Sequence, residues 1–158
     1  MTRGKKIVTV VFLACVGLIL LVFFLPKDEW DKKKVLAFFE DNSKILLGTA
    51  EQLTEGTISS KDAVRVISRA ADVKKDYIAI SEKGSLDIYI DGHGIAPAGA
   101  DCGLVYFPTD DLTDFQWYND DFKLYVKEGK GYYTDNGTDD TIYLEEFREH
   151  WYYYYVTF

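Results

Sequence analysis

The sequence predicts an amino-terminal transmembrane helix followed by one α+β domain, in which one long and one short helix pack on a mainly antiparallel β-meander sheet. Three observations predict it. Residues 7–25 are an uninterrupted apolar run, apolar side chains recur at three- and four-residue steps over about 28–55, and short β-prone runs then alternate with Gly, Asp and Asn. All twelve tyrosines lie beyond residue 76, on the strand-rich side of that divide.

The first element, IVTVVFLACVGLILLVFFL, carries no charge and no proline. As a helix it reaches roughly 28 Å, about the thickness of a bilayer's hydrocarbon core. Its exit, Phe23-Phe24-Leu25-Pro26-Lys27-Asp28, lacks the small residues a signal peptidase needs, and the run exceeds a signal h-region, so a retained anchor is expected. Cys15 sits inside the run rather than after it, which excludes a lipoprotein signal. Arg3, Lys5 and Lys6 precede the run, while Lys27, Lys32, Lys33 and Lys34 follow it interleaved with Asp28, Glu29 and Asp31. The short basic tail is the end that stays in the cytoplasm. The expected organisation is a cytoplasmic tail over 1–6, a plasma-membrane anchor over 7–25, and one extracytoplasmic domain over 26–158.

Within the domain, Trp30, Val35, Phe38, Phe39, Ile45, Leu46, Ala50 and Leu53 mark a long amphipathic helix from about Asp28 to Glu55, with Gly56 as its stop. Ser59 followed by Asp62 resembles a capping box and starts a second helix over about 61–71. Strands are expected at about 77–82, 85–91, 103–108, 115–118, 121–127, 131–135 and 151–158, with turns at Lys83-Gly84, Gly129-Lys130 and Asn136-Gly137. Residues 141–149 stay open: Tyr143, Phe147 and Trp151 share a helical face, whereas Ile142 and Leu144 alternate as in a strand. Along the final strand, Trp151, Tyr153 and Tyr155 face one way and Tyr152, Tyr154, Val156 and Phe158 the other. Either that strand is central and buried on both faces, or Trp151, Tyr153 and Tyr155 display rings for binding a protein or a sugar.

Composition narrows the function classes. The chain is 47% hydrophobic and 16% aromatic with three prolines, enough to fill one core. Its formal charge is -8, and without the three basic residues of the tail the remainder carries -11. That balance excludes nucleic acid and disfavours anionic lipid on the general surface, although Lys32-Lys33-Lys34 could touch headgroups. Cys102 is the only cysteine outside the apolar run, so no disulfide braces the domain.

The segment most like a site is Asp91-Gly92-His93-Gly94-Ile95-Ala96-Pro97-Ala98-Gly99-Ala100-Asp101-Cys102-Gly103. Cys102 as nucleophile, His93 as base and Asp91 or Asp101 as orienting carboxylate would make a triad. The competing reading is a loop joining two strands, with Gly92, Gly94, Gly99 and Gly103 supplying positive φ. The spacing is not that of a phosphate loop. Hard oxygen ligands at Asp135–Asp140 and at Asp110, Asp111 and Asp114 would suit calcium, but neither cluster has EF-hand spacing, and His93 and His150 lack zinc spacing. Neither a metal nor a cofactor is expected. Asn136-Gly137-Thr138 is a glycosylation sequon where the host has an endoplasmic reticulum.

The pattern GHGIAPAGADCGLVYFPTDD followed by EHWYYYYVTF resembles small uncharacterised, often membrane-anchored proteins of Firmicutes. The resemblance implies a bacterial envelope setting and carries over no site. The expected function is a non-catalytic binding or accessory module of the cell envelope, held to the bilayer through residues 7–25 and meeting a protein or cell-wall partner through the domain. The alternatives are an envelope hydrolase using Cys102 and His93, and an aromatic glycan-binding module.

Overall fold

Apolar spacing of three and four residues gives two helices in the computed structural model, which describes residues 27–95, 98–118, 123–127, 131–135 and 140–158. Helix α1, Lys27–Thr54, buries Val35, Phe39, Leu46 and Ala50 along one stripe. It ends at Gly56, whose φ of +68° suits glycine. Helix α2, Ser60–Ala70, begins as the capping box predicts: Asp62 N donates to Ser59 Oγ at 3.2 Å, and Ser59 Oγ donates to Asp62 Oδ2 at 2.8 Å. Ala63 and Ile67, one turn apart, are its buried residues.

The chain divides into two compact units, Met1–Trp30 and Asp31–Phe158. Of the first, only the opening turn of α1 is described, so the expected tail and anchor, residues 1–25, lie outside the described residues. Among the described residues no helix is long and apolar enough to cross a membrane.

In the second unit a short 3-10 turn, Lys75–Tyr77, leads into a seven-stranded sheet. The strands are β1 Ile78–Ile80, β2 Leu86–Ile95, β3 Ala98–Tyr106, β4 Lys123–Lys127, β5 Gly131–Asp135, β6 Thr141–Arg148 and β7 Trp151–Thr157. Every neighbouring pair is antiparallel, in the order β1-β2-β3-β7-β6-β5-β4. A single meander is therefore not what forms. Two meanders, β1–β3 and β4–β7, are joined by β7 pairing with β3, which puts the seventh strand in the middle. The open stretch 141–149 is resolved in favour of a strand, because Ile142 and Leu144 alternate into the core opposite Val156 and Tyr154.

The helices and the face of the sheet beneath them share one core, made of Val35, Phe39, Leu46, Ala50 and Ile67 with Leu86, Ile88, Leu104, Trp151 and Tyr153. The opposite face has its own core. There Val105, Ile142, Leu144, Tyr152, Tyr154 and Val156 are covered by Phe107, Leu112 and Phe115. The expected strand at 115–118 is corrected by this arrangement: the segment after β3 crosses the far face as a lid with a 3-10 turn at Leu112–Asp114. Its apolar residues recur because the lid dips into the far core. Phe107 meets the Tyr152 ring at 5.3 Å and Phe115 meets Tyr154 at 5.0 Å.

The glycine-rich segment is also corrected. It is no loop between strands but the body of the β2–β3 hairpin, whose strands reach Ile95 and resume at Ala98, with residues 96–97 outside the described set. The expected turns Gly129-Lys130 and Asn136-Gly137 and the sequon at 136–138 also lie outside it. At Lys83-Gly84 a turn is present, with Gly84 at φ +90°. One bulge interrupts β2: Tyr89 pairs with Gly103, yet Asp91 pairs with Cys102, so Ile90 is the extra residue.

Candidate functional site

The bulge decides which face the sequence-marked residues occupy. In a regular strand Asp91 would share a face with Tyr89 and Asp87; the extra Ile90 turns Asp91 and His93 toward the helices, on the side of Cys102. Here α1 supplies their partners. Lys34 Nζ lies 2.5 Å from Asp91 Oδ2, and Asp31 Oδ2 lies 3.4 Å from His93 Nδ1. In the same turn of α1, Lys32 Nζ reaches Glu145 Oε2 on β6 at 2.6 Å. Lys32 and Lys34, considered from sequence as headgroup contacts, thus pair with sheet carboxylates.

Cys102, His93 and Asp91 do share one face, but they do not form a nucleophilic site. Cys102 is 1% exposed. Burial, reinforced by the negative charges of Asp31 and Asp91, pushes its thiol up to about 12, so the reactive thiolate does not form at neutral pH. The Asp91 carboxyl is held below the usual range chiefly by its hydrogen bond from Lys34. It is engaged in an ion pair rather than in orienting an imidazole. Trp151 and Tyr153 are core residues, not displayed rings; Tyr155 is half-buried, 6.3 Å from the His93 ring.

The carboxylates weighed for calcium have protein partners. Asp110 Oδ1 pairs with His150 Nδ1 at 2.8 Å and accepts from the Tyr152 hydroxyl at 3.3 Å. Asp111 pairs with Lys83 at 2.9 Å and Asp114 accepts from Ser81. Among the described residues no three His, Cys, Asp or Glu side chains are gathered as a metal site would need, and of the Asp135–Asp140 cluster residues 136–139 lie outside the described set.

An open cleft of about 350 Å³ lies elsewhere, lined by Asp76, Tyr77, Ala79, Tyr89, Asp101, Gln116 and Trp117. It joins the β1–β2–β3 end of the sheet to the lid. Tyr77 and Trp117 are 40% and 38% exposed; Tyr125 at 46% and Phe158 at 37% are comparably so, but Tyr77 and Trp117 face one concavity. Tyr77 meets Tyr89 edge-on at 4.8 Å, and Trp117 stacks on Phe158 at 6.0 Å with 24° between planes.

The glycines of the hairpin make room for these rings. A Cβ on Gly92 would strike the Asp101 carboxylate and come within 2.6 Å of the Tyr89 hydroxyl; one on Gly99 would lie 2.9 Å from the Phe158 ring. On Gly103 it would strike the Ile88 carbonyl oxygen and come within 2.7 Å of the Tyr154 ring. Gly92, Gly99 and Gly103 do not have positive φ, so close approach, rather than the expected left-handed backbone, is what requires glycine there.

Electrostatically the cleft is one-signed. Burial raises the Asp101 carboxyl, with His93 opposing, and raises the Tyr89 phenol, with Asp101 adding to the effect. Beside it Asp87 is buried, and burial pushes its carboxyl up to about 7, while the Tyr154 hydroxyl and the Gln116 amide work against the shift. Gln116 Nε2 donates to Asp87 Oδ2 at 2.6 Å. Asp87 Oδ1 and the Tyr154 hydroxyl are both buried without a partner in hydrogen-bonding geometry, near enough to influence each other's charge but not aligned.

The cleft carries no mark in the sequence, because its walls come from residues 76–79, from Tyr89 on β2 and Asp101 on β3, and from 116–117. Only their antiparallel pairing and the lid bring them together. Compared with protein-family models, curated proteins and solved structures, the chain matches none.

Proposed function

We propose that this chain is a single-pass membrane protein of the bacterial envelope whose domain, outside the cytoplasm, is a non-catalytic binding module, and that the aromatic–acidic cleft is where it binds. The carrying observation is the pair of exposed rings, Tyr77 and Trp117, flanking the half-buried Asp101 in an open cleft. Soluble surfaces seldom leave such rings grouped around a concavity, whereas recognition sites do so routinely. The hydrolase reading loses its support because the thiol it needs is sealed and protonated. The membrane anchor is supported by the nineteen-residue apolar run and its basic tail.

Two experiments test this. In protoplasts, protease added outside should remove the domain; protection until lysis would reverse the orientation. In crosslinking from intact envelopes, the full-length chain should capture its partner, Cys102→Ala should capture it equally, and Trp117→Ala or Tyr77→Ala should lose it at unchanged melting temperature. Loss with Cys102→Ala, the fold intact, would return the nucleophile reading.

A further inference from the structure

We propose that the cleft recognises a protonated amine carried on a small carbon frame, an inference that rests on the cleft being the binding site. Its lining offers carboxylates, phenols and ring faces and includes no Lys, Arg or His. Asp101 has no hydrogen bond or ion pair among the described residues, although it is half-buried; His93 acts on its charge, but no side chain pairs with it as Lys34 pairs with Asp91. Gln116 adds to the same bias. One of its two amide N–H donors is taken by Asp87, and its carbonyl oxygen is a further acceptor.

A site built from acceptors and π faces fits a ligand that brings donors and positive charge. An ammonium group has three donors and no acceptor, and it is attracted to the faces of tyrosine and tryptophan. The molecule shows this preference itself: Lys74 lays its Nζ 5.3 Å from the Tyr77 ring centroid, on a residue that does not line the cleft. A neutral sugar would find ring faces and could donate hydroxyls to Asp101 but would leave its charge without a counter-ion, and an anion would be repelled by Asp76 and Asp101. The volume, about 350 Å³, is at the small end of ligand sites and suits a side chain or a monosaccharide.

The test is calorimetric titration of the full-length chain in nanodiscs of phosphatidylglycerol, a lipid with neither amine nor sugar. Two matched pairs are used at about pH 6, where both amines are charged: N-acetyl-lysine methylamide against its norleucine counterpart, and glucosamine against N-acetylglucosamine. The charged member of at least one pair should bind roughly ten-fold more tightly than its neutral partner, and the pair that responds identifies the frame. Asp101→Asn should erase that preference. Should Asp101→Asn melt early, Asp76→Asn, at an exposed position, should still narrow the preference. Equal binding of charged and neutral members, binding of neither, or an unchanged preference in both variants overturns the amine proposal. Equal binding that Trp117→Ala abolishes does so while leaving the cleft itself as the site.

Discussion

Asp87 carries a carboxyl into the far-face core, and its burial makes stability depend on pH in a direction opposite to that of an ion-paired aspartate. Its folded pKa of about 7 lies above the ordinary value of 3.8, so between those limits the folded state holds a proton that the unfolded chain has lost. The penalty therefore grows as pH rises from 4 to 7 and is constant above, reaching an upper bound of about 4 kcal/mol. Asp87→Asn keeps the shape and still accepts from Gln116. Its stability relative to the parent should rise between pH 4 and pH 7 and then level off in urea titrations; a difference independent of pH would mean that Asp87 ionises normally. Gly103 tests packing at the same spot. Because a methyl there meets the Ile88 carbonyl and the Tyr154 ring, Gly103→Ala should cost about 2–3 kcal/mol in the same titrations, and a cost under half that would show the hairpin yields easily. Sequence singled out these glycines correctly but for the wrong property, since composition cannot distinguish a backbone that must turn left from one that must let a neighbouring ring pass.

Ile90 shows how one residue assigns a whole cluster to a face. With it bulged out, Asp91 and His93 meet Lys34 and Asp31 on α1; were Ile90 paired regularly with Cys102, alternation would send both side chains to the cleft side. Deleting Ile90 should therefore keep the Lys34–Asp91 pair, because Asp91 then follows Tyr89 directly and regular alternation puts it beside Cys102 on the helix face. A crystal structure of the deletion variant, or coupling between Lys34→Ala and Asp91→Ala that survives in a double-mutant cycle on it, would show this; loss of the coupling would mean that the bulge itself aims Asp91 at Lys34. The helices and β7 were legible because their periodicities, 3.6 and 2, are imposed by burial along a single segment. Tyr152 and Tyr154 fall in one core and Trp151 and Tyr153 in the other, as alternation requires. The lid was misread as a strand since Phe115, Trp117 and Gln116 also alternate in polarity. What separates a lid from a strand is backbone pairing, and that depends on partners distant in sequence. For the same reason Tyr77, Trp117 and Gln116 carried no local mark as cleft residues.

At the scale of the molecule the sheet is two antiparallel meanders that share β7. This strand pairs with β3 from Ala100–Thr157 to Tyr106–Trp151 and with β6 along its other edge, and Phe158 continues the pairing through two backbone hydrogen bonds with Gly99, 3.0 and 3.2 Å. Both cores draw on it. Removing residues 151–158 should therefore abolish cooperative melting altogether, as followed by circular dichroism, instead of lowering the midpoint; a surviving sharp transition would show that one meander stands alone. The position of β7 also sets an order of events. On a ribosome the chain emerges amino terminus first, and neither β3 nor β6 can pair along its inner edge until β7, which follows both in sequence, is free. The seam between the two meanders is thus latched by one strand: β1–β3 on one side and β6 on the other stay open along their facing edges until β7 is in place between them.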